Sequence, residues 1–267
     1  MKPRGAIMEA FLKGGPMKDF DIIDCHVHLG PALYMHVPDS GPEGMVKVLD
    51  AMGVSMACVS HSVGMVSDWK TGNDLLIEAV KQYPSRIWGY TFCNPRYPSE
   101  IQKEMQRCAA AGLQGLKIHP DFHKTPADSP LYDVVYDFAL QENRLMLLHY
   151  SSSPGPYAGA SLFRNVLKKF PTLRCIMAHS LPDTTAVDTA VEFFGKYENV
   201  YFDLSNAFQP GVIEYACKKL GASRLLYGSD GCWGAMEPRL GLVCCASIDE
   251  QEKILIIGKN IKSLINV

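Results

Sequence analysis

The sequence has no apolar run long enough to cross a bilayer, so no helical membrane span is expected. It has no cysteines at zinc-knuckle spacing. The nine it does have are scattered and odd in number, which fits a reducing compartment better than a disulfide framework. It has no surplus of charge: 26 Lys+Arg stand against 28 Asp+Glu, a net charge of −2. Neither a nucleic-acid footprint nor a membrane-binding face is therefore expected. It also lacks a Gly-rich phosphate loop after its first apolar run, where His28-Leu29-Gly30-Pro31 stands instead. An open doubly wound sheet would normally carry such a loop there. Lys2 and Arg4 are followed by only a short apolar stretch broken by Glu9, so no secretory leader is read and the expected location is cytoplasmic.

What is present is ample apolar material, 47% of 267 residues, enough for one well-buried domain. Residues 1–18, with Gly14 and Gly15, read as an N-terminal arm that is either disordered or packed across the base; residues 19–267 read as a single domain. Short strand-like runs alternate with amphipathic stretches. Pro42 opens one helix and Gly53 stops it; Asn73 or Asp74 caps the next; Ser99 and Gln102 have capping-box spacing; Ser129-Pro130 starts another. The strand ends fall near residues 28, 60, 93, 119, 149, 179, 204 and 229. Eight βα units of this size predict an α/β fold, a (β/α)8 TIM barrel.

In such a barrel the active site lies at the C-terminal strand ends. Strand one ends in His26 and His28, which share a face because alternate strand residues do. Strand two ends at His61, strand three at Asn94, strand five in His149, strand six in His179 and strand eight in Asp230; strand four carries Lys117 and His119, and strand seven Asp203 and Ser205. Imidazoles and a carboxylate converging from several strands make a metal site. Each residue also has a plain reading. His36, His61 and His123 are expected in loops, Asp203 as a cap of the turn into the next helix, and Lys117 with its amine at solvent. Lys117, His119 and Arg96 are candidates for a substrate carboxylate. Tyr150 and Trp233 are candidates for an aromatic wall, or ordinary rim packing.

The stretches IIDCHVHLG, GLQGLKIHP, LMLLHY, RCIMAHS and LLYGSDG, with the closing EKILIIGKNIKSLINV, resemble the amidohydrolase superfamily. Within it they are most similar to the amidohydrolase-related branch that includes aminocarboxymuconate-semialdehyde decarboxylase and many small metal-dependent hydrolases. The resemblance implies a barrel of the metallo-dependent hydrolase type in which His26, His28, His149 and Asp230 bind a divalent metal. It implies that His179 stands beside the ion and handles protons together with Asp230. In two-metal members a lysine in the place of Lys117 is carboxylated and bridges the ions; with His119 following it, Lys117 and His119 are second-metal or substrate residues, and one ion is favoured over two. Zn²⁺ suits the set first, Mn²⁺ or Fe²⁺ next. The chemistry implied is hydrolysis of a small amide, ester or lactone. The alternatives are non-oxidative decarboxylation of a small carboxylic acid, or a non-catalytic ligand-binding barrel. The partner is a small molecule bearing a carboxylate in some of these readings. Loops 61–72, 120–129, 151–159 and 231–239 would set its choice. None is long, so the mouth is open or a homo-oligomer closes it.

Overall fold

A computed structural model of the chain describes residues 5–31, 36–152 and 155–266. The N-terminal arm forms α1 (Ala6–Lys13), and its residues 1–4, like 153 and 154 of loop 151–159, lie outside the described residues. Then follow β1 (Ile22–Leu29), α2 (Pro42–Met52), β2 (Val54–His61), α3 (Ser62–Val66), α4 (Trp69–Gln82) and β3 (Ile87–Phe92). Next come α5 (Ile101–Ala110), β4 (Gly115–Ile118), α6 (Pro120–His123), α7 (Asp133–Gln141), β5 (Met146–His149), α8 (Ala160–Lys169) and β6 (Cys175–Ala178). The last part holds α9 (Thr184–Phe194), β7 (Val200–Asp203), α10 (Val212–Leu220), β8 (Leu225–Leu226), α11 (Met236–Cys245), α12 (Glu250–Ile254) and α13 (Asn260–Ile265).

The strands lie side by side in sequence order, each parallel to the next. The stretch after β8 returns to β1: Cys25 N–H donates to Tyr227 O at 3.0 Å and Asp230 N–H to His26 O at 2.9 Å. The sheet is thus a (β/α)8 barrel, as the repeat predicts. Inside it, Ile23, Cys25, Met56, Cys58, Trp88, Tyr90, Leu147 and Ile176 fill the lower layers, and Ile261, Leu264 and Ile265 of α13 plug the base. A larger apolar layer packs the strands' outer faces against the helices. With the base closed by apolar side chains, polar groups inside the barrel are left to the upper end.

The described part of the arm packs against the body of the protein. Ile7 is fully buried, its N–H donates to Glu250 Oε1 at 2.6 Å, and α1 packs on α11 and α12. Gly53 takes φ +77° at the end of α2, and a Cβ there would fall 2.3 Å from Met17 N, so the arm's tail needs a glycine at that turn.

Two helix starts differ from their sequence signals. The N-cap of α4 is Asp68, whose carboxylate accepts from Thr71 N–H at 2.7 Å. Asn73 is instead drawn inward, where it exchanges hydrogen bonds with the Phe92 backbone. The Ser99/Gln102 box does not form: α5 begins after Glu100 without a side-chain cap, and the capping box of the structure is at Asp249 and Glu252. No helix among the described residues is long and apolar enough to cross a membrane.

Candidate metal centre

Strict alternation along β1 would place Ile23, Cys25 and Val27 on one face and His26 and His28 on the other. The observed register slips between Asp24 and Val27. This irregularity lets Cys25 pack in the lower barrel while His26 and His28 turn into the mouth above it. Asp230 joins them from the loop after β8. His26 Nε2 lies 3.1 Å from His28 Nε2 and 3.4 Å from Asp230 Oδ1, and His28 Nε2 lies 3.0 Å from the same oxygen. Asp230 and His179 both adopt left-handed backbone, with φ of 55° and 52°. Such conformations are uncommon outside glycine and cluster where function demands them.

The far sides of these rings are tied down. Asp203, fully buried and with its carboxyl held below its usual range, can only accept, so His26 Nδ1–H donates to Asp203 Oδ2 at 2.6 Å. Burial opposes that ionisation; the bonds from His26 and Ser205 outweigh it. Ser60 Oγ stands 3.1 Å from His28 Nδ1. With its proton on Nδ1, His26 turns the Nε2 lone pair into the mouth, toward a second imidazole nitrogen and a carboxylate oxygen. The corners of a tetrahedral ion with bonds of 2.0–2.1 Å would be about 3.3 Å apart. The three donors therefore suit a divalent cation in both chemistry and spacing, and the Asp203–His26 tie is the outer support such ligands usually have.

Lys117 also points into this space. Its amine is fully buried, 3.3 Å from His26 Nε2, and not at solvent as the sequence suggests. Burial pulls it down to about 8 against the pull of the Asp230 and Asp203 carboxylates. His179 completes the ring of imidazoles: its centroid is 4.9 Å from those of both His26 and His149, and its Nε2 is 3.8 Å from Asp230 Oδ2. Burial lowers His179 to about 3 and His28 to about 4. Burial likewise opposes the Asp230 charge, but the imidazoles of His26, His28 and His179 hold that carboxyl well below its usual range.

His149 and His119 sit across the mouth with Asp121. His149 Nε2 is 3.4 Å from Asp121 Oδ2, and the two rings stack at 3.5 Å with their planes only 16° apart. An ion in the plane of one ring would then lie far out of the plane of the other. His119 Nδ1 moreover accepts from Phe122 N–H at 3.3 Å, which leaves its proton on Nε2. His119, Asp121 and His149, like His26, His179 and Asp230, bring their donor atoms close enough together for a metal triad, but the stacked geometry of the former is poor for a shared ion.

Among the other candidates, Trp233 does reach the mouth: its ring lies 5.5 Å from His28, and Nε1–H donates to Ser62 Oγ at 3.3 Å. Tyr150 does not. Because His149 faces inward, Tyr150 faces outward and packs on Phe163 and Phe194 in the helix layer. Arg96 is exposed on the loop after β3. His61 caps the short helix after β2, accepting from Val63 N–H at 3.2 Å; His123 bonds Tyr132 OH at 2.7 Å; His36 is exposed. One Asp203 oxygen holds His26 and the other accepts from Ser205 N–H, so Asp203 caps the turn after β7 as well as anchoring His26. The sequence gives little notice of Asp24, Ser60 or Asp121. Nor does it mark Gly228, where a Cβ would fall 2.8 Å from Asp203 Oδ1. Beside His28 a cavity of about 470 Å³ opens between α2 and residues 232–237, its wall including Leu29, Met45 and Met236.

These shifts predict a pH dependence. Burial holds His28 and His61 at about 4 and His123 and His179 at about 3, against about 6.5 in the unfolded chain. Below pH 6.5 the unfolded state binds more protons, so stability falls as pH drops. Asp24, raised to about 7 by burial, acts oppositely, but it is one group against four. The Tm of chelator-treated protein should fall by at least about 10 °C between pH 7 and pH 4.5. A flat profile would contradict the buried neutral imidazoles.

A family model described as amidohydrolase matches residues 23–233. No curated protein matches the sequence. Among solved structures, one of a Staphylococcus aureus protein described provisionally as an amidohydrolase has a TM-score of 0.75 at 16% identity, covering 93% of this chain and 100% of that one. A 2,6-dihydroxybenzoate decarboxylase from Rhizobium gives 0.72 at 18%, covering 92% and 99%. A 5-carboxyvanillate decarboxylase from Novosphingobium aromaticivorans, solved with manganese, gives 0.72 at 14%, covering 95% and 98%. Likeness at these identities is likeness of fold.

Proposed function

The chain belongs to the amidohydrolase family, and from that premise we propose that it is a metal-dependent hydrolase of small amides, esters or lactones. The observation that carries the reading is the convergence of His26 Nε2, His28 Nε2 and Asp230 Oδ1 within 3.4 Å of one another. His26, His28, His149 and Asp230 would hold one ion, with Zn²⁺ the best match to such donors and Mn²⁺ or Fe²⁺ the alternatives. A divalent ion there supplies Lewis acidity, making water nucleophilic near neutral pH and polarising a substrate oxygen. The side chains do the rest. Asp230, held anionic, accepts the proton of the attacking water. His179, neutral at pH 7 and 3.8 Å from the Asp230 carboxylate, passes that proton to the leaving group. The Lys117 amine sets a cation beside the reacting centre for a substrate anion. Trp233 and Phe122, with ring centroids 6.4 Å apart, give an apolar wall for the remainder.

Decarboxylation of a small carboxylic acid is the second reading. It is favoured by the decarboxylases of similar fold, which are solved with 2,6-dihydroxybenzoate or with manganese and a nitrobenzoic acid. In that case Lys117 would face the carboxylate before carbon dioxide leaves, and the Asp230–His179 pair would deliver the proton to carbon.

The two are separated by a panel of lactones, esters and N-acyl compounds against hydroxybenzoates, run with and without added Zn²⁺ or Mn²⁺. Metal-dependent hydrolysis is expected. Carbon dioxide release without hydrolysis would replace the first reading with the second. Protein that takes up no metal would remove both and leave the non-catalytic barrel.

A further inference from the structure

Asp24 belongs neither to the proposed ion seat nor to the proton-handling pair, yet it is fully buried two residues before His26. Its Oδ1 accepts two backbone N–H groups, that of His26 at 3.0 Å and that of Ser229 at 3.0 Å. One oxygen atom therefore joins the two chain segments that deliver the donors: the irregular stretch of β1 that carries His26 and His28, and the residue just before Asp230. Its carboxyl also has the Ser229 side chain and the Tyr227 hydroxyl beside it. Burying a carboxylate this deeply is costly even with partners. An apolar residue would fill that volume without the penalty, but it would leave the His26 and Ser229 N–H groups without this partner.

We infer that Asp24 is a positioning residue for the metal site, fixing the distance between the His26–His28 pair and Asp230 through the two N–H groups it accepts. The inference rests on the ion seat proposed above. The interaction is geometric: either oxygen-bearing side chain of this length can supply it, and the negative charge is not required.

The test is a titration of metal-free, full-length protein with Zn²⁺ in competition with a chromophoric chelator. Wild-type protein comes first: if it takes up no Zn²⁺, the ion seat itself fails and the role of Asp24 goes with it. If it does bind, Asp24→Ala is expected to weaken the Kd by about tenfold or more, the usual cost of losing an outer support of a metal ligand. Asp24→Asn keeps an acceptor for both N–H groups and should stay within about threefold of wild type. Val187→Ala, a buried change in the helix layer, should lower Tm while leaving the Kd unchanged, which separates positioning from general loss of stability. Should Asp24→Ala not fold, Asp24→Ser takes its place, because the shorter hydroxyl reaches one N–H rather than two. Wild-type affinity in the Ala or Ser variant would overturn the proposal. So would an Asn variant as weak as the Ala variant, which would assign the effect to charge.

Discussion

His26→Ala is expected to strip the protein of bound metal and to lower kcat/KM by roughly 10³-fold or more, the equivalent of several kcal/mol of electrostatic stabilisation. The effect should be this large because His26 occupies the centre of the arrangement. Its Nε2 is the donor that meets both His28 and Asp230, and the same ring is the partner of buried Asp203. Truncation removes one donor and leaves a fully buried carboxylate facing a void, and breaking a buried pair from one side costs about 3–5 kcal/mol. The variant should therefore melt lower than wild type even after chelation, when no ion contributes to either protein. His26→Gln narrows the comparison, since an amide can still donate to Asp203 and relieve part of that cost without restoring the imidazole. Elemental analysis after dialysis, with melting curves of chelated samples, checks both. An Ala variant that retained a full equivalent of metal would mean that the ion sits elsewhere in the mouth.

The barrel and the gathering of this site were legible in different degrees. The repeat of 25–33 residues between polar strand ends carries the eightfold architecture, because each unit must contain one strand and one covering helix. That His26, His28, His179 and Asp230 meet follows from the same topology, since strand ends of a closed barrel share one rim. What fails to show in the sequence is whatever depends on phase or on partners distant in the chain. The slip between Asp24 and Val27 decides which residues of β1 face inward, and no residue type in IIDCHVHLG announces it. Tyr150 adjoins a site residue in sequence and is turned away from it by simple alternation. Lys117 can be read as an amine at solvent or as a site residue; it lies fully buried, with the carboxylates of Asp203 and Asp230 offsetting part of the cost of burying its charge. Asp203 reads as a turn cap, a role it fills through Ser205 N–H, but its other oxygen anchors His26, a pairing across 177 residues. Asn73 shows the same limit in the helix layer: its cap-like side chain is claimed by the Phe92 backbone, and Asp68 takes over the helix start.

His179→Ala should keep its metal and lose turnover, by roughly 10² to 10⁴-fold in kcat, the range associated with a lost acid–base group. The argument is one of distance and protonation. His179 Nε2 is 3.8 Å from Asp230 Oδ2, too long for a hydrogen bond but within reach of a water or a substrate atom held between them. Burial keeps the ring neutral at working pH, so it can accept a proton from the Asp230 side and release it to a departing group. His149 is the contrasting case. It is proposed as the fourth donor of the ion, although it rests against Asp121 at 3.4 Å and against the face of His119. Joining Asp230 and the His26–His28 pair on one ion would require it to give up that stack. His149→Ala should therefore weaken metal binding, whereas Asp121→Asn, which removes only the competing carboxylate charge, should leave metal content unchanged. Measured together, metal content and single-turnover rates assign the two histidines. If His179→Ala empties the site while His149→Ala stays loaded, their roles are exchanged: His179 is the donor beside His26 and Asp230, and the proton must travel by way of His149 and Asp121 on the opposite side of the mouth.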